Sequence, residues 1–238
     1  MSVIIDFHAH ILPDLDDGSQ NIEMSEQMLK LSKDQRINVI AATPHFYARH
    51  MTLKNFLKKR DAAYNSIVKK ASRFGIHLLL GAETAFFTGI GNAAEIANLT
   101  ISGTSLFLLE MPFRKWNSSD IQETEKLLDR GLTPIIAHIE RFLPYQRDKK
   151  IFDELYSLPV LIQVNAETLI NWKTRRLALK LFEHNTAHLL GSDCHNISTR
   201  PPNLALGRKI MEKKLGSSYL SRIDRLGEEI VGLNDKCT

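Results

Sequence analysis

The sequence predicts an α/β fold with a parallel sheet, and three observations carry that prediction. Seven apolar runs of strand length alternate with helical patterns along the whole chain. Nearly every run ends on an imidazole or a carboxylate at its C-terminal end, the face on which α/β barrels build their sites. The 238 residues suit one barrel-sized domain, 1–238, with no linker, internal repeat or low-complexity segment.

The first strand, Val3-Ile4-Ile5, leads into Asp6-Phe7-His8-Ala9-His10. Side chains on a strand alternate, so His8 and His10 point the same way. The acidic turn Asp14-Leu15-Asp16-Asp17-Gly18 follows. Ser19 is then placed to cap a helix over Gln20 to Ser32, with Met24, Met28 and Leu31 as its core stripe. Val39 to Thr43 is the second strand; Pro44 ends it and His45 comes next. A basic helix runs from Leu53 to Phe74 and stops at Gly75. Ile76 to Leu80 is the third strand, followed by Gly81-Ala82-Glu83; Ser105 to Leu109 is the fourth, ending at Glu110.

A helix over Ser119 to Arg130 shows Asp120 and Glu123 at capping spacing, with Gly131 as its stop. Thr133 to Ala137 is the fifth strand, running into His138-Ile139-Glu140-Arg141. Val160 to Val164 is the sixth and is followed by a helix over Thr174 to His184. Ala187 to Leu190 is the seventh, before Gly191-Ser192-Asp193-Cys194-His195. A final helical region starts near Asn203 and runs to the end, with breaks expected at Gly216 and Gly227.

The composition, 43% apolar and 24% charged, is that of a soluble globular protein. No apolar run is long enough to cross a bilayer, and the N-terminus lacks a secretory leader, so the expected compartment is the cytoplasm. Two cysteines, Cys194 and Cys237, make no disulfide framework and fit a reducing compartment. A net charge of +4 tolerates an anionic substrate but is too weak to argue for nucleic acid.

The strand ends and first loop collect His8, His10, Asp17, His45, Glu83, Glu110, His138, Asp193 and His195. Each has a bland reading when taken alone, such as a turn residue, a hydrogen-bonded core histidine or a strand-end charge. Recurrence at successive strand ends is hard to explain by packing, since buried carboxylates are costly without a cation. A mixed imidazole and carboxylate set suits manganese, zinc or iron, and nine donors point to two or three ions. Paired ions clamp an in-line phosphoryl displacement and generate hydroxide at neutral pH. Arg141 and Arg200 follow the fifth and seventh strands, and an arginine fork matches phosphate oxygens. His50, His77, His184 and His188 read as loop, surface or helix-end residues.

Cys194 and Arg200 carry the Cys-x5-Arg spacing of thiol phosphatases. That chemistry needs backbone N–H groups around the phosphate and a thiolate-stabilising helix start. Pro201 and Pro202 remove two donors just after the arginine, and the loop has no glycine. Cys194 therefore reads as a spacer between two metal-type residues.

The pieces Asp6-Phe7-His8-Ala9-His10-Ile11-Leu12-Pro13, Asp16-Asp17-Gly18, Ala42-Thr43-Pro44-His45, Gly81-Ala82-Glu83, Leu109-Glu110, Ile136 to Arg141, Gln163-Val164-Asn165, Gly191 to Asn196 and Arg200-Pro201-Pro202 resemble the polymerase-and-histidinol-phosphatase (PHP) superfamily. Within it they are most similar to the bacterial manganese-dependent protein-tyrosine phosphatases of capsule and exopolysaccharide operons. The resemblance covers the chain to about residue 205. It implies a distorted seven-stranded TIM-like barrel and a trinuclear manganese centre. The same nine residues would be the ligands, with Asp17 the metal-binding member of the acidic turn. Arg141 and Arg200 would bind phosphate. The implied substrate is the phosphotyrosine tail of a membrane-associated tyrosine autokinase. The loop Phe46 to Thr52 is individual to this chain and is placed to shape substrate access.

Three alternatives remain at the level of sequence. A histidinol-phosphate or nucleotide phosphatase would share the superfamily. An amidohydrolase also opens with His-x-His, but its class places a lysine where Glu110 stands. A non-catalytic barrel would be expected to have lost ligands, and none is lost here.

Overall fold

A computed structural model describes residues 2–146 and 150–233. Cys237 and the last residues of the expected C-terminal helical region lie outside the described residues. All the expected strands are present, but the described residues hold nine rather than seven. They are β1 (Ile5–Ala9), β2 (Val39–Ala42), β3 (His45–Phe46), β4 (His77–Leu80), β5 (Glu83–Ala85), β6 (Leu106–Glu110), β7 (Thr133–Ile136), β8 (Leu161–Asn165) and β9 (Leu189–Gly191). The extra count arises because pairing resumes in two short strands, β3 and β5, beyond the expected ends of the second and third strands. Pro44, which has no N–H to donate, separates β2 from β3, and Gly81-Ala82 separates β4 from β5. Register survives the break: Ala42 lies opposite Leu80 and His45 opposite Glu83.

Every pairing is parallel, in the orders β1-β2-β4 and β3-β5-β6-β7-β8-β9. The sheet is curled, and a single parallel bridge from Ala9 to Cys194 brings the end of β1 against the segment after β9. There the Asp193 N–H donates to the His8 carbonyl and the His10 N–H to the Cys194 carbonyl.

Strand parity sorts the core. Ile5, Phe7, Val39, Ala41, Leu106, Leu108, Ile135, Ala137 and Leu189 form one apolar cluster, while their neighbours Ile40, Phe107, Leu109, Ile136 and Leu190 join the larger cluster under the helices. Fully burying each such side chain stabilises the fold by roughly 1.5–3 kcal/mol. On that parity Glu110 continues the row of Leu106 and Leu108, and Gln163 and Asn165 continue the row of Leu161.

The helices are α1 (Ile22–Asp34), α2 (Leu53–Arg73), α3 (Ser118–Asp129), α4 (Lys150–Tyr156), α5 (Ala166–Ile170), α6 (Arg175–Glu183), α7 (Leu204–Leu215) and α8 (Ser217–Ile230). Two caps differ from the sequence reading. Asn21, not Ser19, accepts from the first turn of α1, because the Ser19 hydroxyl is turned inward to Ser25. The capping box of α3 is Asn117 with Asp120, one turn earlier than Asp120 with Glu123; Glu123 instead accepts from the Gly91 N–H. Gly216 divides α7 from α8 as expected, but α8 runs through Gly227. A Cβ there would lie 3.2 Å from the Phe7 ring, so this glycine serves close packing of α8 on β1 rather than a break. No helix of the described residues is long and apolar enough to cross a membrane.

Candidate metal centre

All nine candidates converge at the C-terminal ends of the strands. Their donor atoms form four overlapping groups: His10, Asp17, His45 and His195; His8, His10 and Asp193; His8, Glu83 and His138; His45, Glu83 and Glu110. Glu83 is the hub. Its Oε2 lies 3.1 Å from His8 Nε2, 3.2 Å from His10 Nε2 and 2.9 Å from His45 Nδ1, and its Oε1 lies 2.8 Å from His138 Nε2. Glu110 Oε1 is 3.5 Å from His138 Nε2, and Asp17 Oδ1 is 3.5 Å from both His45 Nε2 and His195 Nε2. Asp17 is the exposed member; the other carboxylates are buried.

The surrounding hydrogen bonds settle which atoms carry lone pairs. The His138 N–H donates to Gln163 Oε1 and Gln163 Nε2 donates to Asn165 Oδ1, so Gln163 Oε1 is an acceptor. The nitrogen facing it, His8 Nδ1 at 3.2 Å, must then be the N–H. His10 Nδ1 lies 2.7 Å from Asp16 Oδ2 and is likewise the donor. In the neutral rings both Nε2 atoms are left bearing lone pairs, and they face each other at 3.0 Å. Asp193 Oδ1 stands 3.6 Å from one and 3.5 Å from the other. Lone pairs aimed at one point repel unless a cation lies between them. The buried His45 Nδ1, His138 Nδ1 and His195 Nε2 also have no partner in hydrogen-bond geometry, although Glu83 Oε2 stands 2.9 Å from His45 Nδ1. The donor set and its orphaned atoms therefore fit divalent metal.

Electrostatics point the same way. Burial, the largest influence on His8 and His10, favours the neutral rings, but carboxylates outweigh it. Glu83 and Asp193 raise His8, and Asp16 and Glu83 raise His10 well above the ordinary value. Burial also opposes ionised Glu83 and Asp193, yet the imidazoles hold both well below the usual carboxylate range. Glu110 is pushed up to about 7 by burial and by Glu83. His195 is pushed down to about 4 by burial and by His10. Sites that attract protons this strongly attract divalent ions in competition with them.

Two residues sit on unusual backbone. His138 (φ 29°) and Asp193 (φ 51°) have positive φ, which costs a non-glycine residue of the order of 1–3 kcal/mol. Gly191 allows the closest approach: a Cβ there would lie 2.6 Å from His8 Cβ and 2.8 Å from Gln163 Nε2.

The arginines border the centre through Asp193. Arg200 Nη2 is 2.7 Å and Arg141 Nη1 3.6 Å from Asp193 Oδ2, and both guanidinium side chains are partly open to solvent. Cys194 is buried in the core, where burial and then Asp6 push its thiol far up. The loop after it is no phosphate cradle either. The N–H groups of Ser198, Thr199 and Arg200 all donate to Asn196 Oδ1.

The family model described as capsular polysaccharide synthesis, CpsB/CapC, matches residues 4–229. The chain belongs to the CpsB/CapC family. CapC of Staphylococcus aureus is 30% identical over 224 residues, covering 91% of this chain and 86% of CapC. The tyrosine-protein phosphatase CpsB of Streptococcus agalactiae serotype V is 28% identical over 240 residues, covering 92% and 94%. The solved structure reported with YwqE of Bacillus subtilis and CpsB of Streptococcus pneumoniae, described as unique metal-dependent tyrosine phosphatases, superposes with a TM-score of 0.83 at 25% identity, covering 96% of this chain and 94% of that one.

In this CpsB/CapC chain a second set of polar residues around the nine escapes the strand-end argument. Asp16 holds His10 Nδ1 and also accepts from the His45 N–H. Gln163 holds His8, and Asn165 Nδ2 donates to Asp193 Oδ2. Glu140, pushed up to about 7 by burial, accepts from the Asn165 N–H and the Thr168 hydroxyl. For Gln163 and Asn165 the available signal was parity: two amides on the inward row of an apolar strand.

Proposed function

We propose that this chain is a metal-dependent protein-tyrosine phosphatase whose nine converging imidazoles and carboxylates hold two or three ions, with manganese the preferred metal. The convergence of that set beside two partly open guanidinium groups is the observation that carries the reading. When bound, such ions supply Lewis-acid charge and make water acidic enough to act as a nucleophile near neutral pH. The remaining work falls to the chain itself. Arg141 and Arg200 bind the phosphoryl oxygens and orient the ester for in-line attack. Asp193 spans both parts: its Oδ2 anchors the arginines and its Oδ1 faces His8 and His10. Gln163 and Asp16 keep His8 and His10 in the tautomer that offers Nε2 to the centre. Phenolate leaves more readily than a serine alkoxide, because phenol is the stronger acid.

We infer further that the substrate protein is a tyrosine autokinase of capsule assembly, as the family's description with capsular polysaccharide synthesis supports. Site residues drawn from position 8 through position 200 support treating the chain as one domain. The break at Pro44 and the bridge at Ala9 support a distorted barrel whose seven strands include two interrupted ones.

The test is hydrolysis of a phosphotyrosine peptide by purified protein with chelator, then with manganese, zinc or iron added back. Turnover that vanishes and returns best with manganese is expected. Turnover indifferent to chelator would overturn the metal assignment. Faster hydrolysis of histidinol phosphate or a nucleotide would overturn the substrate.

A further inference from the structure

The metal centre opens onto three cavities, and they differ in chemistry. One of about 340 Å³ is lined by polar residues, among them Glu140, Arg141, Asn165, Asp193 and Arg200, and has no aromatic side chain in its wall. One of about 350 Å³ lies off Asp17 and His45, among Leu15, Phe46, Met51 and Phe56, with no arginine in its wall. The third, about 270 Å³, shares Glu110 with the centre and is otherwise walled mainly by apolar and aromatic side chains. We propose that this third cavity, bounded by Tyr47, Phe86, Phe87, Met111, Pro112 and Phe113, is the slot that receives the phenyl ring of the substrate. The inference rests on the phosphatase reading and deepens it by assigning the residues that select an aryl ester.

Three observations single out this cavity. Phe113 is a large apolar side chain left 42% exposed, so part of its ring is open to whatever enters. It also ties the slot to the phosphate-binding side. The Arg141 guanidinium lies 5.2 Å from its centroid, and the His138 ring stacks on it at 6.2 Å. A phosphoryl group held by Arg141 therefore has Phe113 within reach of its ester substituent. Finally, Tyr47 stands 5.0 Å from the His45 ring and forms a wall shared with the cavity off Asp17, but only in the third cavity does it share the lining with Phe113. Aromatic rings gain from offset or edge contacts with one another beyond the area they bury. An alkyl ester makes no such contacts and leaves these walls wet.

The test uses manganese-loaded protein and two non-hydrolysable probes, phenylphosphonate and methylphosphonate, with affinities measured by calorimetry. Phenylphosphonate is expected to bind about tenfold or more tightly, from ring burial and aromatic contact. In Phe113→Ala and in Tyr47→Ala that preference is expected to shrink to about threefold or less. Metal content and unfolding midpoint, read alongside, identify a variant that has lost its fold. Equal affinity of the two probes for the unaltered protein would overturn the slot without any variant. So would a preference that survives both substitutions in folded, metal-loaded protein. The two readings fail separately. A protein that prefers phenylphosphonate yet hydrolyses no phosphoester would sink the phosphatase and keep the slot. One that hydrolyses phosphotyrosine with no phenyl preference would do the reverse.

Discussion

Two polar clusters stand in this molecule, each centred on a buried carboxylate, and they are built on opposite plans. At the start of α3, Asp120 accepts from both Nη atoms of Arg114 at 2.7 Å and from the Asn117 N–H, while Asn117 accepts from the N–H groups of Ser119 and Asp120. Donor meets acceptor throughout, and the cluster needs nothing more. At the strand ends, with the rings neutral, acceptors face acceptors: two imidazole Nε2 atoms and the oxygens of Glu83 and Asp193 crowd one point, and three more ring nitrogens, on His45, His138 and His195, have no partner in hydrogen-bond geometry. A satisfied cluster holds a fold together, whereas an over-supplied one waits for a cation. The contrast teaches that the sign of each contact, rather than the number of charged residues, separates a structural polar site from a binding one.

The largest way to break that contrast is at the hub. Glu83→Ala should cut phosphotyrosine turnover on the order of a thousandfold, as removal of a shared metal donor does, and lower bound manganese measured by elemental analysis. Next comes the residue that sets a tautomer. Gln163→Leu removes the acceptor facing His8 Nδ1 and should weaken manganese binding about 10–100-fold in a metal titration.

At the satisfied cluster the effect should fall on stability instead. Asp120→Asn should cost about 1–2 kcal/mol in denaturant unfolding, from the weakened cap and the lost charge pair, with metal affinity unaltered. Its pH signature is defined. Burial opposes the Asp120 charge, but Arg114 and Asn117 outweigh it and lower the folded pKa below 3.8. Its contribution is therefore complete above the unfolded value and is lost as pH falls through the folded one, so the variant should flatten the acid limb. Cys194→Ser should be smallest of all, within about twofold in turnover, since a buried thiol pushed far up in pKa offers no thiolate. Loss of turnover with metal still bound would revive the thiol route.

Much of this was legible in the sequence, and the reason is periodicity. Strands of four or five residues with alternating faces put His8, Glu110 and Asp193 at predictable ends, and all nine candidates do meet. The breaks after Ala42 and Leu80 were hidden because Pro44 and Gly81 also read as ordinary strand ends, while the pairing resumes beyond them in register. Asp16 and Gln163 stood in the motifs, but their roles were hidden for another reason. Their work lies in hydrogen-bond direction, which no spacing encodes. The cap at Asn117 lost to Asp120 in the sequence because both residues suit a helix start, and only the pairing of Arg114 with Asp120 distinguishes them.

The positive φ angles of His138 and Asp193 carry a consequence for the life of the protein inside a cell. Those two peptide conformations are a standing cost, and the crowded acceptors around them add to it while no ion is present. A newly made chain starved of its metal would spend more time partly open, where proteases reach it. Cellular abundance, and not specific activity alone, should then rise and fall with the supply of the metal.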